Sequence, residues 1–297
     1  MKNINIQTLV RWAVISVLFM SKTVSAQSSN PFGIPTEEVQ TPAANVVAAP
    51  GSRAQGWLNQ GRSEVIARHG IVATSDTLAA QAGLEILQRG GNAIDAAVAA
   101  GAVLDVTSQN DTGIAGDLFA LVYIAEEQKL YALNSAGWAP TGWTPEFFKD
   151  ELGLEGVPGS GVNAATVPGA ISGYDALLER FGSLGFEETF ERAAQIAEEG
   201  WGQGERRHRD LVSAQNRLSN DEYSAQLFLE DGNVPDLYSI INNPDLADAL
   251  RLIQKEGRDV FYKGAIADAL VARVQAGDGV MTHADLAEFE SEWVEPI

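Results

Sequence analysis

The sequence has no cysteine and only three histidines, His69, His208 and His283. Without cysteine there are no disulfides, no thiolate metal sites and no thiol nucleophile in these 297 residues. The histidines stand far apart in no ligand-like spacing, so a metal site is not expected, and no cofactor is implied. Basic residues are also scarce: Lys and Arg number 20 against 40 Asp and Glu, for a formal net charge of −20. A surface of that sign repels polyanions at long range, which makes nucleic acid and anionic lipid poor partners. The N-terminal apolar run Trp12–Met20 is too short to span a bilayer. Hydrophobic residues nevertheless make up 45% of the chain, enough for a globular core.

That run has the form of an address. Lys2 and Arg11 precede or open it, no acid occurs in 1–26, and Val24-Ser-Ala26 places small residues where a signal peptidase reads. The expectation is a signal peptide over 1–26 cut after Ala26, giving a periplasmic or secreted protein with no membrane contact once the signal is gone. Residues 27–64 are rich in Pro, Ala, Gly, Ser and Asn, lack periodic apolar positions and read as a flexible lead-in. A globular domain is expected over 65–297.

Gly70-Ile-Val-Ala-Thr74 is β-prone, and Ser75 or Thr77 is a fitting N-cap for a helix carrying Leu78, Ala82 and Ile86. Gly90-Gly91 ends it. Asn92 then starts a second helix, Ala93 to Leu104, made almost wholly of small residues; such a helix is expected to lie buried against a sheet, with Asp95 needing a partner. Ala120–Ile124 and Leu130–Leu133, joined by a polar turn, predict a β-hairpin. Val162 to Gly169 reads as a strand, and helices are predicted over 170–180, 186–199, 244–256, 264–276 and 285–289. The class is mixed α and β, with helices in pairs.

The residues alone assemble no catalytic constellation. There is no GxSxG elbow and no HExxH, and the Gly113–Phe119 segment lacks the lysine of a phosphate cradle. Asp111 and Asp117 flank its glycines and read first as turn or cap aspartates. The acid pairs Glu126-Glu127, Glu187-Glu188 and Glu198-Glu199 read as solvated surface, and Trp138, Trp143 and Trp201 as core or rim anchors. Arg206-Arg-His-Arg209 is a basic island expected to pair with carboxylates of its own chain.

The order of motifs adds what the residue types do not. Gly70-Ile-Val-Ala-Thr-Ser75, Ala82-Gly-Leu-Glu-Ile-Leu87 and Gly90-Gly-Asn-Ala-Ile-Asp-Ala-Ala-Val-Ala-Ala100 open a series. It continues through Gly113-Ile-Ala-Gly116, Thr166-Val-Pro-Gly169, Glu198-Glu-Gly200, Asn243-Pro-Asp-Leu-Ala247, Phe261-Tyr-Lys-Gly264 and Trp293-Val-Glu-Pro-Ile297. The series resembles the γ-glutamyltranspeptidase (glutathione hydrolase) family over about 65–297.

The resemblance implies an α+β, four-layer αββα sandwich of the N-terminal-nucleophile hydrolase type, of which this chain carries the N-terminal portion. It implies a precursor that cleaves itself, so that a new N-terminal threonine of a small subunit attacks the amide with its own amine as base. On the resemblance that threonine lies beyond Ile297: the chain is an incomplete large subunit, no residue in it is catalytic, and its partners are the small subunit and a γ-glutamyl or related acyl amide. The family's Asp-Gly-Arg-Glu-x-Ala-Pro stretch, whose Arg pairs with the substrate α-carboxylate, reads Asn134-Ser-Ala-Gly-Trp-Ala-Pro140 here. Ser135, Ala136 and Gly137 are therefore the expected substrate-binding positions, with Ala136 at the Arg and Gly137 at the Glu. A charged hydrogen bond of that kind contributes roughly 1.5–3 kcal/mol. Its loss opens the alternative of an acylase of the same family without γ-glutamyl specificity. A noncatalytic periplasmic binding protein on the same fold is a further alternative, because the decisive threonine lies outside this chain.

Overall fold

The computed structural model describes residues 66–296. The expected signal peptide and lead-in, 1–26 and 27–64, lie outside the described residues, as do Val65 and Ile297.

Helix α1, Thr77–Gln88, is capped by Asp76, not Ser75 or Thr77: Asp76 Oδ1 accepts the N–H groups of Leu78 at 2.7 Å and Ala79 at 3.2 Å. Helix α2, Ala93–Thr107, starts at Asn92 with a capping box closed by Asp95. Its small side chains do bury it, but its principal neighbours are helices, including α1, rather than a sheet. Ala96, Ala99 and Ala102 let those helix backbones come close, which a bulkier face would forbid.

Strands β1, Leu118–Ile124, and β2, Lys129–Ser135, form the predicted antiparallel hairpin, with Phe119 opposite Asn134 and Ile124 opposite Lys129. A π-helical turn at Phe147–Glu151 and a 3-10 turn at Val162–Ala164 follow. Next come α3 (Ala170–Phe181), α4 (Phe186–Thr189), α5 (Glu191–Glu199), β3 (Trp201–Gly202), α6 (Glu205–Leu218), α7 (Glu222–Phe228) and β4 (Ile240–Ile241). The described chain closes with α8 (Pro244–Glu256), α9 (Arg258–Tyr262), α10 (Ala265–Gln275), α11 (His283–Ala287) and β5 (Glu292–Val294). Strands β1, β2 and β5 form one sheet in that order, all antiparallel, and β3 pairs with β4. The architecture is α+β.

Two expected strands are absent. Residues 70–74 and 165–169 are irregular, because neither finds a neighbouring strand among the described residues to complete a ladder. The helix expected over 186–199 is two helices meeting at Phe190, whose fully buried ring packs against Phe186 at 4.8 Å and Tyr174 at 5.8 Å. Asp95 does find partners: it accepts from the N–H groups of Asn92, Ser183 and Leu184 and from Ser183 Oγ, which bolts α2 to the turn after α3. Burial alone would push its pKa up, but those bonds hold it below the ordinary carboxylate value.

Helix α3 covers one face of the hairpin. The other face of β1 is bare: Phe119 and Leu121 are each 70% exposed and Tyr123 is 62% exposed. No helix among the described residues is long and apolar enough to cross a membrane.

Candidate functional site

Three segments meet where β2 ends: the Gly113–Asp117 turn before β1, the β2 exit Asn134–Pro140, and Thr166–Gly169 before α3. Backbone groups do most of the joining. Gly169 and Ala170 both donate their N–H to the Gly116 carbonyl at 2.8 Å, and Val167 N–H donates to the Trp138 carbonyl at 2.9 Å. Asp117 Oδ1 accepts the Gly137 N–H at 2.7 Å, so this turn aspartate fixes the β2 exit directly.

The approach is so close that glycine is obligatory at two places. A Cβ on Gly137 would lie 2.0 Å from the Val167 carbonyl oxygen and 2.6 Å from Thr166 Oγ1, and one on Gly169 would lie 2.0 Å from the Ser135 carbonyl oxygen. A glutamate at 137 does not fit this backbone. Ala136, half-buried, presents only a methyl group, with its N–H held by Asn134 Oδ1 at 3.1 Å.

Ser135 is buried and starts a chain of hydroxyls that spacing along the sequence did not reveal. Its Oγ donates to the Gly169 carbonyl at 2.7 Å and lies 2.7 Å from Ser291 Oγ, which is 2.8 Å from Ser172 Oγ. Ser172 Oγ accepts from Arg258 Nε at 3.4 Å, and Arg258 also donates to the Phe289 carbonyl and lies over the Tyr262 ring. Ser172 and Arg258 sit side by side in the wall of a polar cavity of about 590 Å³, with Asp175, Glu179 and Arg180. Burial pushes the Asp175 pKa up; Arg258 opposes the rise, and Glu179 and Asp259 add to it. The nearest signal for this chain was the Trp293 motif, which flanks Ser291.

The turn before β1 is anchored from behind by a buried carboxyl. Asp105 Oδ1 accepts from Thr112 Oγ1 at 2.8 Å, and Oδ2 accepts from Tyr174 OH at 3.0 Å. Burial pushes the Asp105 pKa up to about 7 against these two bonds, and among the described residues no cation pairs with it. On the other side, Asp285 accepts from Thr141 N–H and from Thr282, tying the Pro140–Trp143 stretch to α11.

Among the described residues, the arrangement contains no nucleophile with a base. Of the histidines, His208 Nδ1 contacts the Pro235 carbonyl, His283 Nε2 contacts Asp268 Oδ1, and His69 is exposed. Among the described residues no three His, Asp or Glu side chains are arranged to hold a metal.

The family model described as gamma-glutamyltranspeptidase matches residues 79–297. The chain belongs to this family. It is 33% identical over 234 residues to the glutathione hydrolase-like YwrD proenzyme of Bacillus subtilis, a match covering 78% of this chain and 44% of that protein. The Helicobacter pylori γ-glutamyltranspeptidase superposes with a TM-score of 0.75 at 30% identity, covering 79% of this chain and 68% of that one. A cephalosporin acylase from Bacillus halodurans superposes with a TM-score of 0.72 at 35% identity, covering 80% of this chain and 47% of that one. The chain thus spans less than half the length of the curated γ-glutamyltranspeptidase relatives it matches. Its α+β fold is that of its γ-glutamyltranspeptidase neighbours.

Proposed function

We propose that the complete protein is an exported amide hydrolase or acyltransferase that works by threonine chemistry. The observation that carries this reading is the family match over 79–297, a span that includes the β2 exit. A β2 exit without a nucleophile–base pair fits a mechanism in which one residue supplies both. In that mechanism the precursor cleaves itself, and the threonine Oγ attacks the substrate carbonyl while the freed α-amine takes its proton. The amine then hands the proton to the departing nitrogen, leaving an acyl ester, which water hydrolyses or a second amine accepts. The threonine, its oxyanion donors and the small subunit lie beyond Ile297. The bare face of β1, with Phe119, Leu121 and Tyr123, is the surface the second sheet of the sandwich would cover.

Two acyl groups are in view. γ-Glutamyl amides are the substrates that the family's name, gamma-glutamyltranspeptidase, points to. The methyl of Ala136 and the sealed Gly137 favour a second reading, an acylase whose substrate has no α-carboxylate to be gripped there.

Expression of the complete gene is expected to yield two polypeptides and an amidase activity. A single uncleaved chain without activity overturns the reading and leaves a binding protein. Comparing kcat/KM for a γ-glutamyl anilide with that for a glutaryl anilide separates the substrates: preference for the glutaryl compound selects the acylase. Mass spectrometry of the exported protein is expected to find Gln27 as its first residue.

A further inference from the structure

The basic island met in the sequence divides in the structure. Arg206 Nη2 pairs with Asp111 at 2.6 Å, as an intramolecular charge partner should. Arg207 does not pair. It is 8% exposed, its Nη1 donates to Gln203 Oε1 at 2.6 Å, its guanidinium carbon lies 5.4 Å from the Trp201 ring centre, and no carboxylate among the described residues bridges to it. Burial pushes its pKa down to about 10, so it still carries its charge at neutral pH.

Around this unpaired cation the unmet polar groups are almost all donors. Trp201 is 5% exposed and Gln203 is fully buried; the Trp201 indole N–H, which lines the space, and the Gln203 amide nitrogen behind it make no hydrogen bond among the described residues, and Arg206 Nε makes none either, with Asp210 Oδ2 at 3.8 Å. Helix α6 has Gly204 at its N-cap, which has no side chain to hold the first N–H groups; Glu205 in the first turn is the acidic side chain at that end of the helix. Trp201, Gly204, Arg206 and Arg207 line a cavity of about 140 Å³, closed on the far side by Thr107 and Ser108. Two carboxylates share its wall, and both are spent: Asp76 caps α1 and Asp111 is held by Arg206. The space exceeds the share of one liquid water, about 30 Å³, and suits a small acceptor-rich group.

We propose that the cavity between Trp201 and Arg207 binds a small oxyanion, a phosphate or a carboxylate, with Arg207 as its counter-charge. The site stands apart from the β2 exit in its elements: the N-terminal ends of α1 and α6 and the C-terminal end of α2. It communicates with the exit by one loop, since Asp111, gripped by Arg206, lies just before the turn whose Gly116 carbonyl holds Gly169 and Ala170. In a chain of net charge −20 an anion is not attracted from a distance, so occupancy depends on these converging donors and falls off gently with salt.

The test is thermal unfolding and isothermal titration calorimetry of the complete protein in an oxyanion-free buffer. Inorganic phosphate and acetate are added separately, with sodium chloride as the ionic-strength control. The expected result is a saturable rise in Tm with one of the two, absent with chloride, together with loss of binding in R207M and about tenfold weaker binding in W201F. Which of the two anions saturates identifies the source chemistry. If R207M does not fold, W201F decides. No saturable response to either anion means the cavity holds only water and overturns the proposal, as does wild-type affinity in R207M or in W201F.

Discussion

The β2 exit and the Trp201–Arg207 cavity are both built from close-packed polar groups, yet they differ in how those groups are satisfied. At the β2 exit every named donor meets an acceptor within the chain: Gly137 N–H on Asp117, Val167 N–H on Trp138, Ser135 on Gly169 and Ser291. At the cavity the buried Arg207 guanidinium bridges to no carboxylate, and the Trp201 indole N–H in its wall makes no hydrogen bond, among the described residues. The lesson is one of completeness. The first region is a finished scaffold that presents a surface, and the second is a half-made set of bonds that a ligand completes.

The comparison can be broken from the finished side. Placing the family's glutamate at 137 by G137E drives a Cβ toward the Val167 carbonyl, and the expected cost is about 3 kcal/mol or more, read as a fall in the urea midpoint. An unchanged midpoint would show that the three segments separate easily. D95A strips the acceptor from three partly buried backbone N–H groups and is expected to cost about 2 kcal/mol at neutral pH. Because the native Asp95 pKa is depressed, the carboxylate's stabilisation is present above its ordinary value and is lost as pH falls through the native one, so the gap between D95A and wild type should narrow in acid.

Asp105 sharpens the comparison because it stands between the two cases, with hydroxyl donors but no cation. Its native pKa of about 7 lies above the ordinary 3.8, so the folded protein binds this proton more tightly and wild-type stability falls as pH rises from about 4 to 7. D105N removes that slope. Relative to wild type it should gain on the order of 2 kcal/mol between pH 5 and pH 7.5, read from paired urea titrations. A constant difference between the two proteins would mean that Asp105 is ionised and solvated. The smallest effect is expected for S291A, which opens the hydroxyl chain at the cost of about 1 kcal/mol, with the change measured by the same titration.

Much of the helical frame was legible because its signals are local. Asn243-Pro244 opens α8 where expected, with the asparagine side chain accepting the Leu246 N–H, and Asn92 opens α2 in the same way. Strands were less legible, since β-prone side chains at 70–74 and 162–169 say nothing of whether a neighbour will be there. Helix α6 escaped notice because it is largely polar and buries only Arg207 and Leu211, leaving no apolar stripe to read. At the candidate site, Ser135, Ala136 and Gly137 were marked by motif position. The hydroxyls that complete the site were not, because Ser291 lies 156 positions from Ser135 and no short-range pattern spans that gap.

The same separation dictates an order of assembly. Strand β2 can zip to β1 within microseconds of both being available, through a tight hairpin. Its other edge waits for β5, where Ala132 meets Val294. At ordinary translation rates the stretch from Ala132 to Val294 takes on the order of 10 s to synthesise. Through that interval the nascent hairpin leaves one strand edge unpaired and one apolar face uncovered, the two features that favour association with other chains.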